Sequence, residues 1–179
     1  MMRFTGATLM VFDTQNKISV DAYHLNRDVG PKMNIRILTD ISFKIEPGNF
    51  VALLGPSGAG KSTLLKALNG AARATDGKVL VNGVDFYKHF ESLKHQVGYV
   101  PQDDIIHPQL TIRRSLHYAA KLRMPKDVPA KQRNARIDEV MSILELSDRA
   151  NTRISMLSGG QRKRVSIGVE LLTEPALLY

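Results

Sequence analysis

Cysteine is missing altogether from the 179 residues, so neither a disulfide framework nor a thiolate metal site can hold this fold. Long apolar runs are missing too. None approaches the roughly 18 residues that a membrane-spanning helix needs. The stretch 7–12 is too short and poorly flanked for a secretory signal. The chain by itself is expected to be soluble or peripheral to something else. Also lacking are aromatics interleaved with basic residues and any groove-reading helix signature. The excess of 25 Lys and Arg over 17 Asp and Glu, a net charge of +8, is therefore not read as a nucleic-acid site. It is either a solvated basic surface or a face turned to acidic groups such as membrane lipid. There are no repeats and no low-complexity tracts.

What is present is an ordinary globular composition, 43% hydrophobic and 23% charged, at a length suited to one domain with a core of its own. Residues 1–17 show no period and read as a linker or the end of a preceding domain. Alternation of Ile18, Val20 and Ala22, and of Ile35, Ile37, Ile41, Phe43 and Ile45, predicts half-buried strands, with a loop at 27–34. After the turn at 46–49, residues 50–54 form a short apolar run of the kind that fills the centre of a parallel sheet. Strands are predicted at 78–81 and 97–100, with a tight turn at Asn82-Gly83. Helices are predicted at 62–68, 110–122 and 158–172. Another is predicted after Pro129 with Ile137, Val140, Met141 and Leu144 on one face. Pro175 ends the last helix and 176–179 begins another strand. The outline is α/β, with a helical insert at about 103–157.

Gly55-Pro56-Ser57-Gly58-Ala59-Gly60-Lys61-Ser62-Thr63 carries the chemistry. It matches the phosphate-loop pattern at every fixed position and in context, after an apolar run and opening a helix. Glycines let successive N–H groups point inward, and the helix presents its positive end to phosphate. Lys61 is expected to reach the β- and γ-phosphates and the Ser62 hydroxyl to ligate magnesium. A second element, Leu157-Ser158-Gly159-Gly160-Gln161, reads in two ways. It is a capped helix after a flexible turn, or it is another anion site at a helix N-terminus. One nucleotide has one triphosphate, so two such sites point to two copies meeting, each capping the other's nucleotide.

These two motifs, with Val97-Gly98-Tyr99-Val100-Pro101-Gln102 between them, resemble the phosphate loop, signature motif and Q-loop of ABC ATPases, in that order and over about 35–179. The segments 101–107 and 161–172 resemble the G-type (white-like) exporters, in particular members with an N-terminal forkhead-associated domain, after which 1–17 would be the linker. The resemblance implies a P-loop NTPase core with a helical subdomain, binding ATP and Mg2+. Gly55, Pro56, Ser57, Gly58, Ala59, Gly60, Lys61, Ser62 and Thr63 would hold the triphosphate. Gln102 would help ligate magnesium and sense the γ-phosphate. Ser158, Gly159 and Gly160, with Gln161 beside them, would contact ATP held by the opposite copy. It further implies a head-to-tail dimer, a membrane-spanning transporter partner, and a place at the cytoplasmic face of a membrane.

The family's Walker B carboxylate, adjacent glutamate and later histidine lie past the point where 176–179 begins that strand. The fragment is therefore expected to be C-terminally truncated and inactive alone, with ATP hydrolysis confined to the complete domain. Two rival functions are a soluble ABC ATPase acting on ribosomes or nucleic acid, and a nucleotide-binding module without turnover. Glu170 and Glu174 read as surface charge. Arg162-Lys163-Arg164 is a solvated face or a contact for acidic groups. His89, His95, His107 and His117 have no metal-ligand spacing. For an adenine-stacking ring the candidates are Tyr23 and His24, which also read as packing or surface residues.

Overall fold

A computed structural model describes residues 18–103 and 105–179; the expected linker at 1–17 lies outside them. The chain divides into two compact units, one of residues up to Gly98 together with Pro175–Tyr179, the other Tyr99–Glu174.

In the first unit, strand β1 (Val20–Val29) pairs antiparallel with both β2 (Ile35–Ile45) and β3 (Asp76–Val81), and β3 pairs with β4 (Val84–Asp85). Alternation of β-branched and polar residues places Val20, Ala22, Leu25, Leu38, Val79 and Val81 in the core. The β3–β4 hairpin turns on Asn82 and Gly83, both at positive φ (50° and 77°), as an Asn-Gly turn matching strand twist requires. Two strand expectations need extending. β1 runs on to Val29 where a loop was expected from 27. β2 is one continuous strand, kinked by register shifts rather than broken. His24 and Asp40 absorb these irregularities at positive φ, a region in which Asn, Asp and His occur more often than other non-glycine residues.

Helix α1 (Lys61–Leu68) packs Leu64, Ala67 and Leu68 into the same core and stops at Asn69 and Gly70, as expected. The short α2 (Phe90–Leu93) sets Phe90 edge-on to the fully buried Phe86. Strand β5 (Val97–Gly98) pairs parallel with β6 (Leu177–Leu178). Gly98 leaves room there for its neighbours: a Cβ would sit 2.8 Å from a Leu178 methyl and 3.1 Å from the Pro175 ring, and one of them would have to shift.

One strand expectation fails. Residues 50–54 form no ladder, and Phe50 and Leu54 are 64% and 65% exposed. A strand exists only through hydrogen bonds to neighbours. The parallel pairing among the described residues is confined to the two-residue β5 and β6, which leaves the run without a partner.

Among its described residues the second unit holds three α-helices, α3 (Ile112–Arg123), α4 (Ala130–Ile143) and α5 (Gly159–Leu171), with short 3-10 turns at Ser147–Arg149 and Ile154–Met156. Thr111 caps α3, its hydroxyl accepting from the Arg114 N–H. Ile112, Leu116 and Ala120 line one face of α3, and Ile137, Val140 and Met141 line one face of α4. With Leu146, Ile154, Leu157, Val165 and Leu172 they are buried, each large side chain contributing about 1.5–3 kcal/mol of transfer free energy. This unit is larger than the 103–157 insert because α5 packs on both α3 and α4, and Gly168 brings it close, a Cβ there lying 3.1 Å from Leu144.

Candidate functional site

The phosphate loop and the start of α1 belong to the first unit; Gln102 and residues 158–161 belong to the second. At the loop, Ala59 is buried and donates its N–H to the Pro56 carbonyl at 3.3 Å, closing a turn whose other members, Pro56, Ser57 and Gly58, are exposed, as is Gly55 before it. Gly58 and Gly60 adopt φ of 80° and 82°, a region open to glycine without strain. Beyond Gly58 a Cβ would meet nothing within 4 Å. The first helical bond runs from Leu64 N–H to Gly60 O at 2.9 Å. The N–H groups of Gly60, Lys61, Ser62 and Thr63 therefore have no acceptor inside the helix.

Among the described residues no side chain satisfies that end. Its N-cap is Gly60, no side chain caps it, and its first turn has no acidic residue. The Lys61 ammonium donates to the carbonyls of Gly55 (2.8 Å) and Pro56 (2.7 Å), folding over the loop. Ser62 is exposed and Thr63 half-buried. Free amides, a positive helix end, an ammonium and a hydroxyl within one turn fit a phosphate chain with a bound cation.

At α5 the same helix-end chemistry is arranged differently. Ser158 Oγ accepts from the Gln161 N–H (3.3 Å), and Gln161 Oε1 accepts from the Ser158 N–H (3.0 Å). This reciprocal box satisfies two of the orphan donors. It leaves the N–H groups of Gly159 and Gly160, where a Cβ would again meet nothing within 4 Å. Buried Ile154 and Leu157 anchor the approach to the motif.

Gln102 is exposed, but its backbone is held. Lys163 Nζ donates to the carbonyls of Pro101 (2.9 Å) and Gln102 (2.8 Å). Three residues earlier, the Tyr99 N–H donates to Glu170 Oε2 at 3.4 Å, while Glu170 Oε1 pairs with Arg123 at 2.7 Å.

These contacts correct two expectations. Glu170 is not surface charge: its side chain is only 12% exposed and has two partners. Glu174 does remain exposed, 3.3 Å from Arg136. The cations of Arg162-Lys163-Arg164 do not form a solvated face. Arg162 donates to Leu157 O (3.0 Å), and Arg164 to Leu144 O (3.1 Å) and Glu145 (3.0 Å). Each helps satisfy carbonyls near a helix or turn end. The signal available in the sequence was the seven-residue spacing of Lys163 and Glu170, which puts them on one face of α5.

Of the two aromatic candidates, His24 Nδ1 lies 2.6 Å from Asp40, and Tyr23 is exposed on β1. Among the described residues no three His, Asp or Glu side chains gather as a metal cluster, and no helix is long and apolar enough to cross a membrane.

The profile of the ABC transporter family matches residues 38–179. An ABC transporter ATP-binding/permease protein of Mycobacterium tuberculosis is 46% identical over 142 residues, which cover 79% of this chain and 16% of that protein. ABC transporter G family member 21 of Arabidopsis thaliana is 42% identical over 154 residues, 83% of this chain and 22% of that one. The chain thus spans less than a quarter of either relative's length. Among solved structures, a dimeric ATP-binding cassette in a post-hydrolysis state with ADP and Pi superposes with a TM-score of 0.75 at 26% identity, covering 87% of this chain and 70% of that one.

Proposed function

We propose, from the premise that this chain belongs to the ABC transporter family, that it is the ATP-binding part of a G-type exporter and works by closing on a second copy of itself or a similar cassette. The observation that carries the reading is the start of α1, left without a cap of its own beside Lys61. In this reading the amides of residues 57–63 hold the triphosphate of ATP. Lys61 swings from the Gly55 and Pro56 carbonyls to the β- and γ-phosphates. The Ser62 hydroxyl and the Gln102 side chain ligate Mg2+, which when bound neutralises phosphate charge.

Ser158, Gly159 and Gly160, with Gln161 closing the box behind them, present their remaining donors to the nucleotide of the opposite copy. These contacts form only in the closed state, so losing the γ-phosphate releases them. Support for a dimer comes from the solved cassette, which is dimeric with ADP and Pi; support for a membrane partner comes from relatives that are ABC transporters. In the complete domain ATP hydrolysis drives export, and the cassette works at the cytoplasmic face of the membrane. The transporter names of those relatives favour this reading over a soluble ATPase acting on ribosomes or nucleic acid.

Titration of the Lys61→Ala protein with a fluorescent ATP analogue and Mg2+ tests the site. Affinity should fall at least tenfold, the scale of a lost charge-assisted contact to phosphate. Undiminished affinity would remove the phosphate loop from the account.

A further inference from the structure

Lys163 lies one turn into α5, and its ammonium bonds the carbonyls of Pro101 and Gln102. Glu170, on the same face, accepts from the Tyr99 N–H. The segment ending in Gln102 is thus tied to α5 at two points seven helix residues apart, and Gln102 itself is exposed. Arg123 holds Glu170 from the other side at 2.7 Å, so the second anchor is itself tied to α3. Ser158, Gly159 and Gly160 form the leading end of that same helix.

We infer that Lys163 is a positioning residue: with Glu170 it clamps the backbone of Tyr99, Pro101 and Gln102 to α5, so that Gln102 and the Ser158–Gly160 end move as one body. The inference rests on the reading that Gln102 meets magnesium and the γ-phosphate and that the α5 end meets the opposite nucleotide. A displacement of Gln102 by its ligand is then delivered directly to the α5 end. Without the clamp, an exposed segment would absorb the displacement. In this reading Lys163 acts on the backbone of Pro101 and Gln102 and not on nucleotide or metal. Its loss should therefore spare the binding of nucleotide at α1 and slow the step that needs both ends together.

The test uses the full-length protein. In Lys163→Met, nucleotide affinity and KM should stay within about twofold, and kcat should fall about tenfold or more, the scale of one or two charge-assisted hydrogen bonds. Amide exchange at 99–102 should quicken. Lys163→Arg keeps a cation with several donors and should recover most of kcat. Wild-type turnover and exchange in Lys163→Met would overturn the clamp. A parallel fall in thermal stability, affinity and kcat, not rescued by arginine, would also overturn it, as the mark of a merely structural residue. Lys61→Ala distinguishes the two proposals: if it binds nucleotide normally, the functional reading fails, whereas if it does not bind and Lys163→Met is unaffected, only the clamp fails.

Discussion

The starts of α1 and α5 are built from similar residues, glycines followed by a helix with a hydroxyl side chain nearby, yet they end in opposite states. At α1 the cap position is Gly60 at positive φ, no side chain accepts from the first turn, and the adjoining lysine turns back on loop carbonyls. At α5 the hydroxyl stands one position before the glycines, and Ser158 and Gln161 close the end between themselves. Whether the cap position holds a glycine or a serine decides whether a helix end is left for a ligand or serves itself. The open end suits the primary hold on a triphosphate. The closed end, with two glycine amides to spare, suits a weaker contact made only when another copy arrives.

The largest break in this contrast should come from Gly60→Val. A β-branched residue at φ 82° is strained by its backbone conformation, although its Cβ would meet Leu38 and Ile37 only at ordinary contact distance. A strain of about 1–3 kcal/mol predicts a loss of nucleotide affinity of roughly tenfold to a hundredfold by equilibrium titration. Ser62→Asp should sharpen the contrast by giving opposite signs. A carboxylate in the first turn favours the helix dipole by about 0.3–1 kcal/mol, so the melting temperature should hold or rise while MgATP binding falls. A fall in both would mean that the α1 end is not an open anion site.

Ser158→Ala should cost about 1 kcal/mol of stability through the lost cap and should leave affinity at α1 unchanged. Loss of affinity in that variant would mean the two ends are not separable. The smallest effect belongs to a control away from both ends. The Arg36 guanidinium lowers the Asp28 carboxyl below its ordinary value of 3.8. A lowered folded pKa stabilises above the unfolded value and is lost as pH falls through the folded one. Wild type should therefore exceed Asp28→Asn slightly at neutral pH, and the two melting curves should draw together as pH falls below about 3.9 and meet only below the lowered folded value.

Local signals carried far in this chain. The Asn82-Gly83 turn, the Thr111 cap, the α4 stripe of Ile137, Val140 and Met141, and the Ser158 cap each depend on neighbours within a few positions. What the sequence could not show depends on distant partners. Residues 50–54 have strand composition, but strand formation needs a neighbour to bond, and none is present among the described residues. Lys163 sits in a basic run that resembles any solvated helix face. Its acceptors lie 61 and 62 positions earlier and come within reach only once α5 has packed. Glu170 misled for the same reason, since burial of a carboxylate against Arg123 and the Tyr99 amide is a tertiary event. The phosphate loop was legible because its function lies in consecutive backbone amides. The route from Gln102 to the α5 end was not, because it runs through one side chain and two carbonyls.

Amide exchange in the full-length protein tests the division of labour between the two ends most directly. MgADP should slow exchange at 58–63 and leave Gly159 and Gly160 as they are. A non-hydrolysable ATP analogue with Mg2+ should slow exchange at both places, because the γ-phosphate brings the copies together. Equal protection of both ends by MgADP, or protection of Gly159 and Gly160 without 58–63, would contradict the account.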